Sequence, residues 1–183
     1  LLFFASLFVP LQSFKTMEIQ KLLSLFARHP GVKALAKVLQ KDSGTAIQLA
    51  GLQGSSAALV FASLAEKAPE VLNVPYLFVL DDEEEAGYFY HDLTRFLGDK
   101  QVLFFPSSYK RAIKFGQRSA GQEILRTEVL SRLSSGSLPL FVVTHPQALS
   151  ELVVTKQKLS EQTLSLSVGE RVDIMFIQET LLS

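Results

Sequence analysis

The chain has 183 residues, enough for one α/β domain with a real core, and its 48% apolar and 20% charged residues exclude a disordered chain. Lys and Arg balance Asp and Glu at 18 each, so no global field draws it to nucleic acid or to an anionic membrane. It has no cysteine, which excludes disulfides and thiolate metal sites and fits a reducing cytoplasm; its three histidines, His29, His91 and His145, are too far apart for a metal motif.

Leu1 to Leu11 is almost wholly apolar and precedes Lys15, so it lacks the charge order and cleavage site of a secretory signal. It is also short for a membrane span. We therefore expect Met17 to be the native start and residues 1–16 to be a non-native or disordered leader. A signal-anchor remnant, and with it a membrane-associated protein, is the rival reading. Residues 17–44 hold two short helices. Their apolar positions are Leu22, Leu25 and Phe26, then Val32, Leu35, Val38 and Leu39, interrupted at Pro30-Gly31. Thr45 to Ala50 reads as a strand, Gly51 to Ser56 as a turn, and Ala57 to Lys67 as a helix.

Tyr76 to Leu80 is a continuous apolar run, the mark of a strand buried on both faces. Asp81 is placed to cap the next helix, with Glu84 as its capping-box partner. Ala86, Phe89, Tyr90, Leu93, Phe96 and Leu97 form that helix's apolar face, and Gly98 ends it. Val102 to Phe105 is a third strand, stopped by Pro106. A polar, basic loop spans 107–120. The helix over 121–135 carries Leu125, Val129 and Leu133 on one stripe and closes at Gly136. Leu140 to Thr144 is a fourth buried strand, and a short helix starts at Pro146. Alternation of this kind implies a parallel sheet of about four strands flanked by helices. The α/β unit covers 45–155. Residues 156–183, a loose stretch followed by a strand and a helix, start a connection to a missing second subdomain.

A phosphate-binding loop reads G-x-x-x-x-G-K-[ST] between a strand and a helix. Its Lys neutralises the β- and γ-phosphates and its hydroxyl holds Mg²⁺. Here Gly51 takes the first glycine place, and Gly54 and Ser55 follow within the loop. Ser56 stands where the second glycine belongs, Ala57 where Lys belongs, and Ala58 where Ser or Thr belongs. Nothing in such a loop offsets a triphosphate's charge or places its metal. The helix N-terminus alone contributes only ~0.3–1 kcal/mol toward an anion. A plain Gly/Ser turn between two elements is the competing reading.

Several segments resemble the transcription-repair coupling factors (Mfd) of bacteria. GLQGSSAALVFASLAE at 51–66 is similar to their glycine-serine loop and helix, and PYLFVLDDEEEAGYFYHDL at 75–93 to their next strand and helix. VLFFPSSY at 102–109 resembles their strand ending in Phe-Pro and an aromatic. The helix with Arg126 and Leu130, LPLFVVTHPQAL at 138–149 and LSVGERVD at 166–173 follow in the same order. The resemblance covers residues ~45–183. It implies the N-terminal UvrB-like module, a helicase-type, P-loop-NTPase-like subdomain whose phosphate loop is degenerate. The fragment would then be non-catalytic and hold no cofactor. ATP and Mg would belong to the motor domain of the parent, an ATP-dependent translocase acting on stalled RNA polymerase. The implied partners of the parent are RNA polymerase, UvrA and double-stranded DNA, in the cytoplasm and without a membrane. The subdomain that contacts UvrA would lie beyond this fragment.

Lys110, Arg111, Lys114 and Arg118, with Tyr109 and Phe115, are candidates for touching nucleic-acid phosphates. A solvated loop with tucked aromatics is the plainer reading. Unlike the DNA-probing hairpin of UvrB, this stretch is short. Lys110 and Lys114 are also the cations that an atypical phosphate site would need, which is the alternative of a nucleotide-dependent helicase fragment. The acidic run Asp81 to Glu85 reads as helix capping rather than metal binding. A lone His145 at a strand end reads as exposed.

Overall fold

The computed structural model describes residues 19–41, 44, 46–68, 73–109, 119–136, 138, 140–161, 163–164, 169, 171–175 and 177–178. The chain divides after Glu151 into two units.

The first unit opens with α1 (Ile19–Arg28) and α2 (Pro30–Leu39). Pro30 and Gly31 do not separate these helices; they form the first turn of α2. His29 is the N-cap, its Nδ1 accepting from Gly31 N at 3.1 Å, and Pro30 stands where a missing N–H costs nothing. α3 (Ser56–Lys67) is rich in alanine, so its neighbours approach closely. Val32 and Leu35 of α2 cluster with Val60 and Leu64 of α3, while Leu23 of α1 joins Ala58, Leu59 and Ala62.

Three parallel strands follow: β1 (Tyr76–Val79), β2 (Val102–Phe105) and β3 (Phe141–Thr144), in the order β1-β3-β2. Helices α4 (Glu83–Leu97) and α5 (Ala120–Ser135) are the crossovers, and α6 (Pro146–Leu149) follows β3. The sheet splits the core. On one face Val102, Phe141 and Val143, with Tyr76, Phe78 and Phe104 beside them, meet α1, α3 and α4. Phe78 sits 4.8 Å from Phe61 of α3 and 5.0 Å from Phe89 of α4, ring centre to ring centre. On the other face Leu103, Phe105, Leu140 and Val142 meet Val129 and Leu130 of α5 and Ala148 of α6. Burying a side chain such as Phe141, which is wholly enclosed, stabilises by ~1.5–3 kcal/mol.

The α/β class with a parallel, helix-flanked sheet holds, and four expectations change. Residues 46–50 form no strand. They are irregular and exposed, and Thr45 lies outside the described residues, so the described sheet has three strands. β1 is an edge strand with one open face, Leu77 being 57% and Val79 48% exposed, because α5 covers β2 and β3 but does not reach it. The cap of α4 is Asp82, whose Oδ1 accepts from Glu85 N at 2.9 Å; Asp81 lies one residue too early. In α5 the inward positions are Arg126 and Val129, whereas Leu125 and Leu133 are 37% and 41% exposed.

The second unit, from Leu152, carries α7 (Lys156–Glu161), a helix where the sequence suggests only loose alternation. Residues 171–173 are irregular, and 174–175 and 177–178 are helical. Leu152, Ile174 and Met175 are exposed. Residues 1–16, expected to be a leader, lie outside the described residues.

Candidate functional site

The loop before α3 is a glycine turn that carries no cationic side chain. Gly51 and Gly54 adopt φ of 80° and 52°, a backbone that L side chains rarely take, so these glycines bend the chain into the helix. Residues 51–55 are exposed. Ser55 is the N-cap, yet its side chain makes no capping bond. Ser56 closes the turn instead: Gln53 N donates to Ser56 Oγ at 2.7 Å, and Ser56 N donates to Gln53 O at 3.1 Å. Both N–H groups are thereby engaged within the turn. Ala57 is half-buried, and Ala58 is wholly buried against Leu23, Ala62 and Phe141. The place where a metal-binding hydroxyl would stand is therefore inside the core. No Lys, Arg or His occurs in the sequence between Lys41 and Lys67. Lys110, Arg111, Lys114 and Arg118 lie outside the described residues, as does Phe115. Tyr109, at the near end of that segment, is 39% exposed rather than tucked into the core.

A second constellation lies at the carboxyl ends of β2 and β3, where open α/β sheets commonly place their sites. Glu151 anchors it. Ser107 Oγ donates to Glu151 Oε1. Ser108 N and Ser108 Oγ donate to Oε2 at 2.9 and 2.5 Å. Arg126 Nη1 stands 3.4 Å from the same oxygen. That guanidinium also donates to Pro106 O at 2.7 Å and Ala148 O at 3.2 Å, and lies 4.1 Å over the Phe105 ring. Burial opposes ionisation of Glu151, but the bonds from Ser107 and Ser108 and the charge of Arg126 outweigh it and hold the carboxyl below its ordinary range. Ser107 and Arg126 are almost fully buried, so the group presents no open nucleophile. Chemically it is a bolt: one carboxylate and one guanidinium tie the end of β2, α5 and the α6 end together.

Beside the bolt, Thr144 Oγ1 donates to Phe105 O at 2.8 Å, pinning β3 to β2. His145 is 2% exposed, contrary to the expectation of an exposed histidine. It caps α6 through its backbone, and its Nε2 has no hydrogen-bond partner among the described residues.

Comparison with protein-family models, with curated proteins and with solved structures finds no match. The functional reading of the chain thus rests on its own residues and geometry.

A cavity of about 340 Å³ opens at the edge of the sheet, along β2, between Tyr90 of α4 and Glu128 and Arg132 of α5. Arg132 Nη2 donates to Lys100 O at 2.5 Å across its end. Its charged lining mixes Asp99 and Glu128 with Lys100 and Arg132, so it selects for neither sign. Among the described residues no group of three His, Asp or Glu side chains could hold a metal ion, and no described helix is long and apolar enough to cross a membrane.

The two places differ in how they can be found. The loop at 51–58 is contiguous and readable from its spacing. Glu151 is 43 residues from Ser108 and meets it only because β2 and β3 are neighbours. Arg126 gives one local signal: a charged residue three positions before Val129, on the stripe that enters the core.

Proposed function

We propose that the chain is a non-catalytic, UvrB-like scaffold module of a transcription-repair coupling factor, a helicase-type subdomain whose phosphate loop is no longer used. The parent would be an ATP-dependent DNA translocase that acts on stalled RNA polymerase and recruits the excision machinery through UvrA, in the cytoplasm. The observation that carries this reading is the state of the loop. Its turn and helix persist, while Ala57 and Ala58 replace the cation and the hydroxyl, and Ala58 is packed into the core. A site that merely awaited its ligand would keep those groups at its surface. The order of the segments from 51 to 173, which resembles that of the coupling factors, supports the family assignment.

The reading is tested in the parent gene. Intact helicase motifs are expected far downstream of Ser183 in the coding sequence. Deleting the codons for residues 46–151 should leave ATP hydrolysis by the motor in place while reducing repair of transcribed DNA strands. Loss of hydrolysis on that deletion would contradict a scaffold role.

A further inference from the structure

We propose that Ser107, Ser108 and Arg126 form a carboxylate-binding site, and that Glu151 fills it as an internal ligand that a small free carboxylate displaces. The donors belong to the framework at the carboxyl end of the sheet, where open α/β folds commonly bind ligands. Ser107 and Ser108 follow β2 directly, and Arg126 projects from α5. They are 1%, 8% and 6% exposed. Arg126 has partners of its own apart from Glu151: it donates to Pro106 O and Ala148 O and lies over the Phe105 ring. These partners hold the guanidinium in place when the carboxylate leaves.

The donors match a planar carboxylate. Ser107 Oγ donates to Oε1 of Glu151 and Ser108 Oγ to Oε2. Ser108 N is shared between the two oxygens, at 3.2 and 2.9 Å, and Arg126 Nη1 stands beside Oε2. Each oxygen thus has a hydroxyl of its own, and one cation balances the single negative charge. Hydrogen bonds of this charge-assisted kind are the strong ones. The same strand end also holds Nε2 of His145, a buried atom with no hydrogen-bond partner among the described residues. Glu151 therefore leaves part of the polar capacity at this end unused.

Glu151 is the member least built into the fold. It stands on a bend outside any helix or strand, after the four-residue α6, and the next residue, Leu152, is fully exposed. Its side chain is 13% exposed, against 7% for that of Arg126. A change of backbone angles at this bend withdraws the carboxylate while the sheet ladder and α5 stay as they are. A group tethered so closely competes at an effective concentration of roughly millimolar or above, so a free carboxylate binds the intact chain weakly.

Titration of the full chain with sodium propionate, which copies the end of a glutamate side chain, tests this by NMR at neutral pH and constant ionic strength. The expected result is a saturable shift of the Ser108 amide signal. At saturation the carboxyl carbon of Glu151 should resonate like that of a solvated glutamate, because its donors are taken. Glu151→Ala removes the tethered competitor and should tighten propionate binding about tenfold or more. Glu151→Gln keeps the size of the side chain and loses its charge; it should tighten binding too, and it covers the case in which the alanine variant does not fold. Without a saturable shift in the wild-type chain the inference fails, even if the variants bind propionate, because the substitution would then have made the cavity that is filled. It fails equally if chloride or inorganic phosphate reproduces the wild-type shift, if the Glu151 carbon does not move at saturation, or if both substitutions leave the affinity unchanged.

Discussion

Ala58 lies under the first turn of α3 with no exposed surface. A threonine there must fit a methyl and a hydroxyl into packed alanines, at a cost of ~1–3 kcal/mol. Installing the Lys and Thr of a phosphate loop with Ala57→Lys and Ala58→Thr should therefore lower the urea midpoint and give no phosphate release above the buffer blank. The hydrolytic site also needs an acidic metal ligand and an arginine finger. After β3 the chain offers His145-Pro146 instead of an acidic pair. Turnover by the double variant would show that the loop retains more of a nucleotide site than Ala57 and Ala58 imply.

Arg126 and Glu151 lead to two further outcomes at the same scale. Arg126→Ala removes the cation from an enclosed carboxylate and the donor from Pro106 O and Ala148 O. Breaking a buried pair in this way costs ~3–5 kcal/mol, readable as a shift in the urea midpoint. A change within the scatter of surface substitutions would mean that the bolt holds nothing. The carboxyl of Glu151 ionises more readily in the folded chain than in the unfolded one. Its contribution is thus present above the ordinary carboxylate pKa and is lost as pH falls through the lower, folded value. Between neutral and acid pH the wild-type chain should lose stability more steeply than Glu151→Gln. Parallel curves for the two proteins would remove Glu151 from the account.

Among elements, α4 shows how a local signal becomes a boundary. Asp82 takes an extended backbone and caps Glu85 N, with Glu83, Glu84 and Glu85 in the first turn where the helix end favours negative charge. Asp82→Ala should cost ~0.5–2 kcal/mol in thermal or urea unfolding, and Asp81→Ala much less. Equal effects would mean that the two aspartates share the cap. Both stand in the right composition, and only the backbone angles tell them apart. The same limit explains the strands. Phe141 to Thr144 and Tyr76 to Val79 are equally apolar, but β3 is central and β1 is an edge. Burial of the second face depends on where α5 lands, which the order β1-β3-β2 decides. At 46–50, Ile47 and Leu49 alternate as in a strand, yet a strand exists only with a partner and none of the described residues pairs with them. In α5 the periodicity is ambiguous, because Leu125 and Leu133 compete with Arg126 for the inward stripe. Arg126 wins through hydrogen bonds to residues 20 and 22 positions away.

For the whole molecule, the α/β plan and the glycine turn before α3 are legible in the sequence, because each is written in contiguous residues. The Ser107-Ser108-Arg126-Glu151 bolt is not, since it is assembled by topology. The stretch from Leu152 exposes Ile174 and Met175, and among its described residues after Gly169 the helical ones are 174–175 and 177–178. Amide hydrogen exchange should find residues 171–178 far less protected than 141–144 of the central strand. Equal protection would place that stretch in a core of its own.

On the proposed reading the loop before α3 does not bind nucleotide. Isothermal titration of the full chain with Mg-ATP addresses it directly. The expected result is no saturable heat, or a Kd of about millimolar or weaker, the range left when the phosphate charge meets only a helix end. A micromolar Kd would contradict the claim and would point to a cation reaching the loop from elsewhere in the chain.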